Sequence, residues 1–259
     1  MISRDSIEIA SKLSVPRLWN VFLLRASFIL GKYFKTPVVW GTPYAASIEP
    51  TTACNLGCPE CPSGLKQFTR ETGRLPVTEN KNMLDQIGSN LFYINYYFQG
   101  EPFLNPQFLE LIKEAHSRKI YTATSTNAHF ISDKKADEII DSGLSRLIIS
   151  IDGITQETYE DYRIHGQLEK VLKGTKSIMR AKKEKKSSTP HVIWQFLVTG
   201  KNEHEIPKLQ ELAREYEVDE LRLKSIQVYE FENGNSLIPQ NEKYSRYKRL
   251  SNGKYKMKA

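Results

Sequence analysis

Six short apolar runs, spaced by helix-patterned stretches and loops, set what this 259-residue chain can become. They are YAASIEPT (44–51), LFYINYYF (91–98), IYTATST (120–126), RLIISI (146–151), HVIWQFLV (191–198) and ELRLKSIQV (220–228). Aromatic and β-branched residues dominate most of them, as strands require. Between them Phe108, Leu111, Ile112 and Ala115 share one helical face. So do Leu168, Val171, Leu172, Thr175 and Ile178, and later Ile206, Leu209, Ala213 and Tyr216. Strands that alternate with helices pair in parallel, because each crossover is long enough to hold a helix. The expected fold is α/β, a partial (β/α)6 TIM-type barrel over 41–232. An N-terminal helical extension (1–40) precedes it and a basic C-terminal tail (233–259) follows.

Composition narrows the partners. At 39% hydrophobic and 26% charged the chain has the balance of a soluble enzyme. Residues 241–259 carry seven Lys/Arg against one acid, which is +6 of the net +7, so the body is nearly neutral. A nucleic-acid patch would have to lie in that tail, which reads as solvated, and nucleic acid is not an expected partner. Near the N-terminus RLWNVFLLRASFILGKYFK is strongly apolar, but Arg25 divides it and the run between Arg17 and Lys32 is too short to span a bilayer. It reads as a helix packed against the main domain, with an interfacial helix as the second reading, and membrane is not an expected partner. No convincing cleavage site follows it. A cytoplasmic location is expected.

All three cysteines, Cys54, Cys58 and Cys61, lie within TTACNLGCPECPSG (51–64). Three thiols leave one unpaired, and spacings this short would strain a disulfide. Zinc would need a fourth ligand where no fourth cysteine exists, and a distant histidine could complete the site. A 4Fe-4S cubane held by three thiolates leaves one iron open to an exogenous ligand. The five histidines show no metal-ligand spacing. His129 alone lies close to a strand-end motif.

In β/α barrels the reacting groups sit on loops at the C-terminal strand ends, and the cysteine loop follows the first strand. The second strand runs into FQGEPFLNP, where Gly100 permits close backbone approach and Pro102 fixes the exit of Glu101. The third ends in Ser125-Thr126-Asn127-Ala128 and the fourth in Ser150 to Gly153. On the fifth and sixth, Gln195 and Lys224 are candidates to face the lumen.

The ordered set of Cys-x-x-x-Cys-x-x-Cys, Gly-Glu-Pro, Ser-Thr-Asn and Ser-Ile-Asp-Gly resembles the radical S-adenosylmethionine (SAM) enzymes over residues 44–230. It looks most similar to the branch with a C-terminal SPASM or twitch extension, which includes peptide maturases and anaerobic sulfatase activators. Two positions depart from the family pattern. Glu60 stands where an aromatic residue near adenine is usual, and Gln99-Gly100 replaces a glycine pair.

The resemblance implies that Cys54, Cys58 and Cys61 hold a 4Fe-4S cluster and that SAM chelates the open iron. Reductive cleavage of SAM then yields a 5′-deoxyadenosyl radical that abstracts hydrogen from the substrate, a peptide or protein. By the same resemblance Gly100 and Glu101 hold the SAM ammonium, and Asn127, Ser150 and Asp152 contact its ribose or carboxylate. An electron donor such as flavodoxin or ferredoxin is the implied partner. The alternative is a non-catalytic iron–sulfur scaffold on a degenerate barrel. The extension's cysteines are absent, so no auxiliary cluster is expected, and 233–259 reads as a basic tail or a truncated linker.

Overall fold

The computed structural model describes residues 3–258. Two helices, α1 (Arg4–Ser11) and α2 (Val15–Phe34), precede β1 (Ala45–Ser47). The barrel continues as α3 (Val77–Ile87), β2 (Tyr93–Asn95), α4 (Phe108–Ser117), β3 (Tyr121–Thr126), α5 (Asp133–Asp141) and β4 (Arg146–Ser150). It ends with α6 (Gln156–Glu160), α7 (Leu168–Glu184), β5 (His191–Val198), α8 (Ile206–Glu215) and β6 (Glu220–Ser225). The sheet order is β1-β2-β3-β4-β5-β6 with every pair parallel. Strands adjacent in sequence are therefore adjacent in space, and the sheet is the arc of a partial barrel, as the alternation predicts.

The apolar helix stripes meet the outer face of this arc. Phe108, Leu111, Ile112 and Ala115 of α4 are buried, as are Leu168, Val171 and Ile178 of α7. On β5, Trp194 points to the helices and donates to the Thr175 hydroxyl on α7 at 3.0 Å. Strand alternation then sends Ile193, Gln195 and Leu197 to the concave face. The register sets Ser150 beside Gln195 and Leu197 beside Lys224, so these four share that face.

The first two strands are shorter than their apolar runs because the chain leaves the sheet early. Beyond Ser47 it turns into the cysteine loop, and Thr51 pairs with Arg74 in an isolated antiparallel bridge.

The N-terminal extension closes the opposite, N-terminal end of the barrel. Asp5 of α1 is buried against the Tyr121 hydroxyl and the Arg146 guanidinium, the first residues of β3 and β4. Tyr93, the first residue of β2, stacks on Tyr121 with ring centroids 5.2 Å apart. Arg17 of α2 donates to the carbonyls of Lys12, Arg118 and Lys119 at 2.6–2.9 Å. Yet α2 does not pack through its apolar residues as the sequence suggests. Its buried residues are Arg17, Asn20 and Ser27.

The C-terminal segment also departs from a solvated tail. It folds back to form an antiparallel pair, β7 (Tyr247–Arg249) and β8 (Tyr255–Met257). Tyr247 is 1% exposed and stacks on Phe231 at 4.7 Å, and its hydroxyl bonds both the N–H and the carbonyl of Val228. With Ile226, Val228 and Ile238 it forms a second apolar core against Leu56 and Cys58. The charges point outward while the aromatic residues close over the cysteine loop.

Removing Asp5 leaves the half-buried Arg146 guanidinium without its counter-charge. Asp5→Ala should cost about 3 kcal/mol of unfolding free energy, read as a lowered midpoint in chemical denaturation. An unchanged midpoint would show that α1 does not brace the barrel.

Candidate active site

The cysteine loop is built from backbone contacts that leave little room. The Thr51 hydroxyl donates to the Gly73 carbonyl at 2.7 Å, and the Gly57 N–H donates to the Ile164 carbonyl at 3.0 Å. Gly64 lies against Cys58, where an added Cβ would come within 2.5 Å of its backbone nitrogen and oxygen. Gly100 has φ +78°, and a Cβ there would sit 2.2 Å from the Thr51 carbonyl oxygen. The close approach expected of Gly100 is thus to the cysteine loop itself. The next N–H, of Glu101, donates to the Ala53 carbonyl at 2.7 Å.

Cys54, Cys58 and Cys61 line a cavity of about 280 Å³ at the C-terminal ends of the strands. Gly100, Glu101, Asn127 and Ser150 line it too, together with Gln195 and Lys224. Ser63 joins the loop to the second strand end, because its hydroxyl donates to Gln99 Oε1 at 3.0 Å and accepts from the Gly100 N–H at 2.9 Å. Glu101 is buried. Its carboxylate accepts from the Thr126 hydroxyl at 2.7 Å, the Asn127 N–H at 2.8 Å and the Phe103 N–H at 3.3 Å. Burial outweighs these bonds and pushes its carboxyl up to about 7. Asn127 also donates from Nδ2 to Asn55 Oδ1 at 2.8 Å, beside Cys54.

Asp152 is the predicted contact that does not line the cavity. It is fully buried, accepts from the Leu197 N–H at 2.7 Å and pairs with Arg163. Arg163 does line the cavity, and its Nη1 lies 3.7 Å from the Cys58 sulfur. Asp152 therefore acts on the cavity through Arg163. Sequence reasoning missed Arg163, because it lies on an irregular turn after α6 where no strand end or periodicity marks it. His129 is absorbed by structure: Nδ1 faces the Asn127 carbonyl and Nε2 accepts from the Gln167 N–H, which fixes a neutral ring. Glu60 accepts from the Tyr229 N–H at 3.0 Å, tying the loop to the C-terminal segment.

The thiols suit a polynuclear group better than a single ion. Among the described residues no three His, Cys, Asp or Glu side chains converge on one ion position, and no histidine lines the cavity. The carboxylate that lines it, Glu101, already accepts three hydrogen bonds, from Thr126, Asn127 and Phe103. Three thiols around one cavity are the donor set that a 4Fe-4S cubane with one open iron would take. Burial pushes the Cys54 thiol up to about 11 and raises Cys58 as well, with Arg163 opposing the rise at Cys58. Ionising Cys54 and Cys58 calls for compensating positive charge, which iron would supply.

Comparison with known proteins agrees. The Radical SAM superfamily model matches residues 48–213, and the chain belongs to that family. The AdoMet-dependent heme synthase of Methanosarcina barkeri is 28% identical over 67% of this chain and 48% of its own length. The PqqA peptide cyclase of Bradyrhizobium diazoefficiens is 25% identical over 78% of this chain and 51% of its own length. The chain spans about half the length of these relatives. Among solved structures, Streptococcus suis SuiB bound to S-adenosylmethionine superposes with a TM-score of 0.64 at 16% identity, covering 83% of this chain and 47% of SuiB. That likeness is one of fold.

Gly64→Ala should distort the loop at Cys58, since the obstructing atoms are backbone and cannot swing aside. The expected result is loss of most bound iron after anaerobic reconstitution with the barrel's circular dichroism intact. Wild-type iron content in this variant would show that the loop has slack.

Proposed function

We propose that the protein is a radical SAM enzyme acting on a peptide or protein substrate. Family membership implies a 4Fe-4S cluster and SAM. The observation that carries the reading is one cavity lined by all three thiols together with Gly100, Glu101, Asn127, Ser150 and Arg163. Cys54, Cys58 and Cys61 would hold the cluster. A cluster held there would supply the one-electron reduction that splits the SAM sulfonium into methionine and a 5′-deoxyadenosyl radical able to take a hydrogen atom from the substrate. The reducing electron would come from a donor such as flavodoxin or ferredoxin.

This chain's own residues orient and shield. Glu101, fixed by Thr126 and Asn127, offers a carboxylate to the SAM ammonium, with the Gly100 carbonyl beside it. Arg163, held by Asp152, offers the opposite charge to the SAM carboxylate. Asn127 and Ser150 present polar groups to the ribose. Gln195 and Lys224 line the cavity from the last two barrel strands and face the substrate. The peptide class is supported by the relationship to the PqqA peptide cyclase, and similarity to maturases of the SPASM branch points the same way. The protein's part in such chemistry is to hold the reacting hydrogen close and to exclude water.

The decisive assay is 5′-deoxyadenosine formation by the anaerobically reconstituted, reduced protein. Cys58→Ala should abolish it together with the cluster's visible absorption, because two thiolates are too few. A cluster retained in that variant would refute the ligand set, and a cluster without SAM cleavage in the wild type would favour the scaffold reading.

Glu101 makes SAM binding depend on pH. Its folded-state carboxyl titrates near 7, so the charged form that attracts an ammonium is lost as pH falls through that value. Affinity should weaken by about tenfold for each pH unit below 7 and level off above it. Glu101→Gln should bind more weakly throughout and lose this dependence. Calorimetric titration measures both, and a flat wild-type profile would remove Glu101 from the site.

A further inference from the structure

We propose that α2 is an in-plane membrane anchor whose outward face docks the protein onto an anionic lipid surface. A helix on a globular protein normally turns its apolar stripe to the core and its polar residues to water. This helix does the reverse. Its buried residues, Arg17, Asn20 and Ser27, are polar and are used up internally. Arg17 bonds four backbone carbonyls, Asn20 bonds both the N–H and the carbonyl of Thr42, and Ser27 donates to Leu24. Val15, Leu18, Trp19, Phe22, Ile29 and Tyr33 are instead between 51% and 80% exposed. With 3.6 residues per turn these six fall within an arc of about 100°, a continuous stripe rather than scattered surface residues.

The charges identify what covers the stripe. No Asp or Glu occurs from residue 9 to residue 48, whereas Arg25, Lys32 and Lys35 are exposed in the same segment. Arg25 and Lys32, two turns apart, run along one edge of the stripe. Cations at the margin of an apolar face, with Trp and Tyr on it, are the arrangement that seats a helix among anionic headgroups. A second copy is a poor occupant. Pairing this face with itself would bring two acid-free cationic segments together with nothing to neutralise them.

Arg25 sits mid-helix, and among the described residues no single helix is long and apolar enough to cross a membrane; α1 and α2 reach that length and hydropathy only together, and they are bent by 93° where they join. The anchor lies at the N-terminal end of the barrel, where Arg17 grips the loops before β2 and β3. The cysteine cavity opens at the other end, so docking leaves its mouth free.

Flotation of the intact protein with vesicles tests this without reference to SAM chemistry. With phosphatidylcholine and phosphatidylglycerol in equal parts the protein should float with the lipid, about tenfold more than with phosphatidylcholine alone. The pair Arg25→Glu and Lys32→Glu should erase that preference. The pair Phe22→Ser and Ile29→Ser should abolish binding to both vesicles. All four side chains face solvent, so the melting temperatures should stay at the wild-type value. Wild-type protein left in the aqueous layer overturns the proposal. So does a dimer in light scattering that Phe22→Ser and Ile29→Ser dissociate, which would make the stripe a self-association surface.

Discussion

The site depends on how closely the end of β2 approaches the cysteine loop. Gly100 lies where any side chain would collide with the Thr51 carbonyl, and Glu101 then bonds Ala53 through its backbone. This contact fixes the loop to the sheet and also aims the Glu101 carboxylate at the third strand end, where Thr126 and Asn127 receive it. Asn127 returns the connection to Asn55 beside Cys54. Three motifs distant in sequence thus form one closed ring of contacts. The fourth joins through Asp152 and Arg163, which reaches Cys58. Each thiol is therefore positioned by groups on other strands, which lets a loop of weak intrinsic propensity hold a defined geometry.

The two ends of the barrel use buried charge differently. At the N-terminal end Asp5 and Arg146 pair with each other, beside the stacked rings of Tyr93 and Tyr121. At the C-terminal end Glu101 is buried and Arg163 half-buried, and both line the cavity. Burial raises the Glu101 carboxyl, and its hydrogen bonds and the nearby Arg163 charge offset only part of that rise. A pair satisfied internally braces the fold, whereas charges turned toward a cavity are available to a ligand.

The barrel was legible because the periodicity of its strands and helices is decided by burial, and the outer core obeys it at every stripe on α4, α7 and α8. The cysteine loop and three of the strand ends were legible because turns at one rim must converge once the strands are parallel. Arg163 was not, since its role comes from a turn that folds back onto the cavity rather than from spacing. The C-terminal segment misled for a related reason. Its lysines dominate composition, yet it packs through Phe231, Leu237, Ile238, Tyr247 and Tyr255. Helix α2 misled because amphipathicity fixes which residues share a face and leaves open whether that face turns inward.

That last ambiguity has a physical resolution. A buried polar side needs partners for every donor, and the N-terminal end of the barrel supplies them as free carbonyls at the loops before β2 and β3. An apolar side placed there would have left those carbonyls unpaired and cost more than its own burial returned. The barrel floor thus selects the polar face of α2, and the apolar face is turned outward as a consequence of satisfying the inner one.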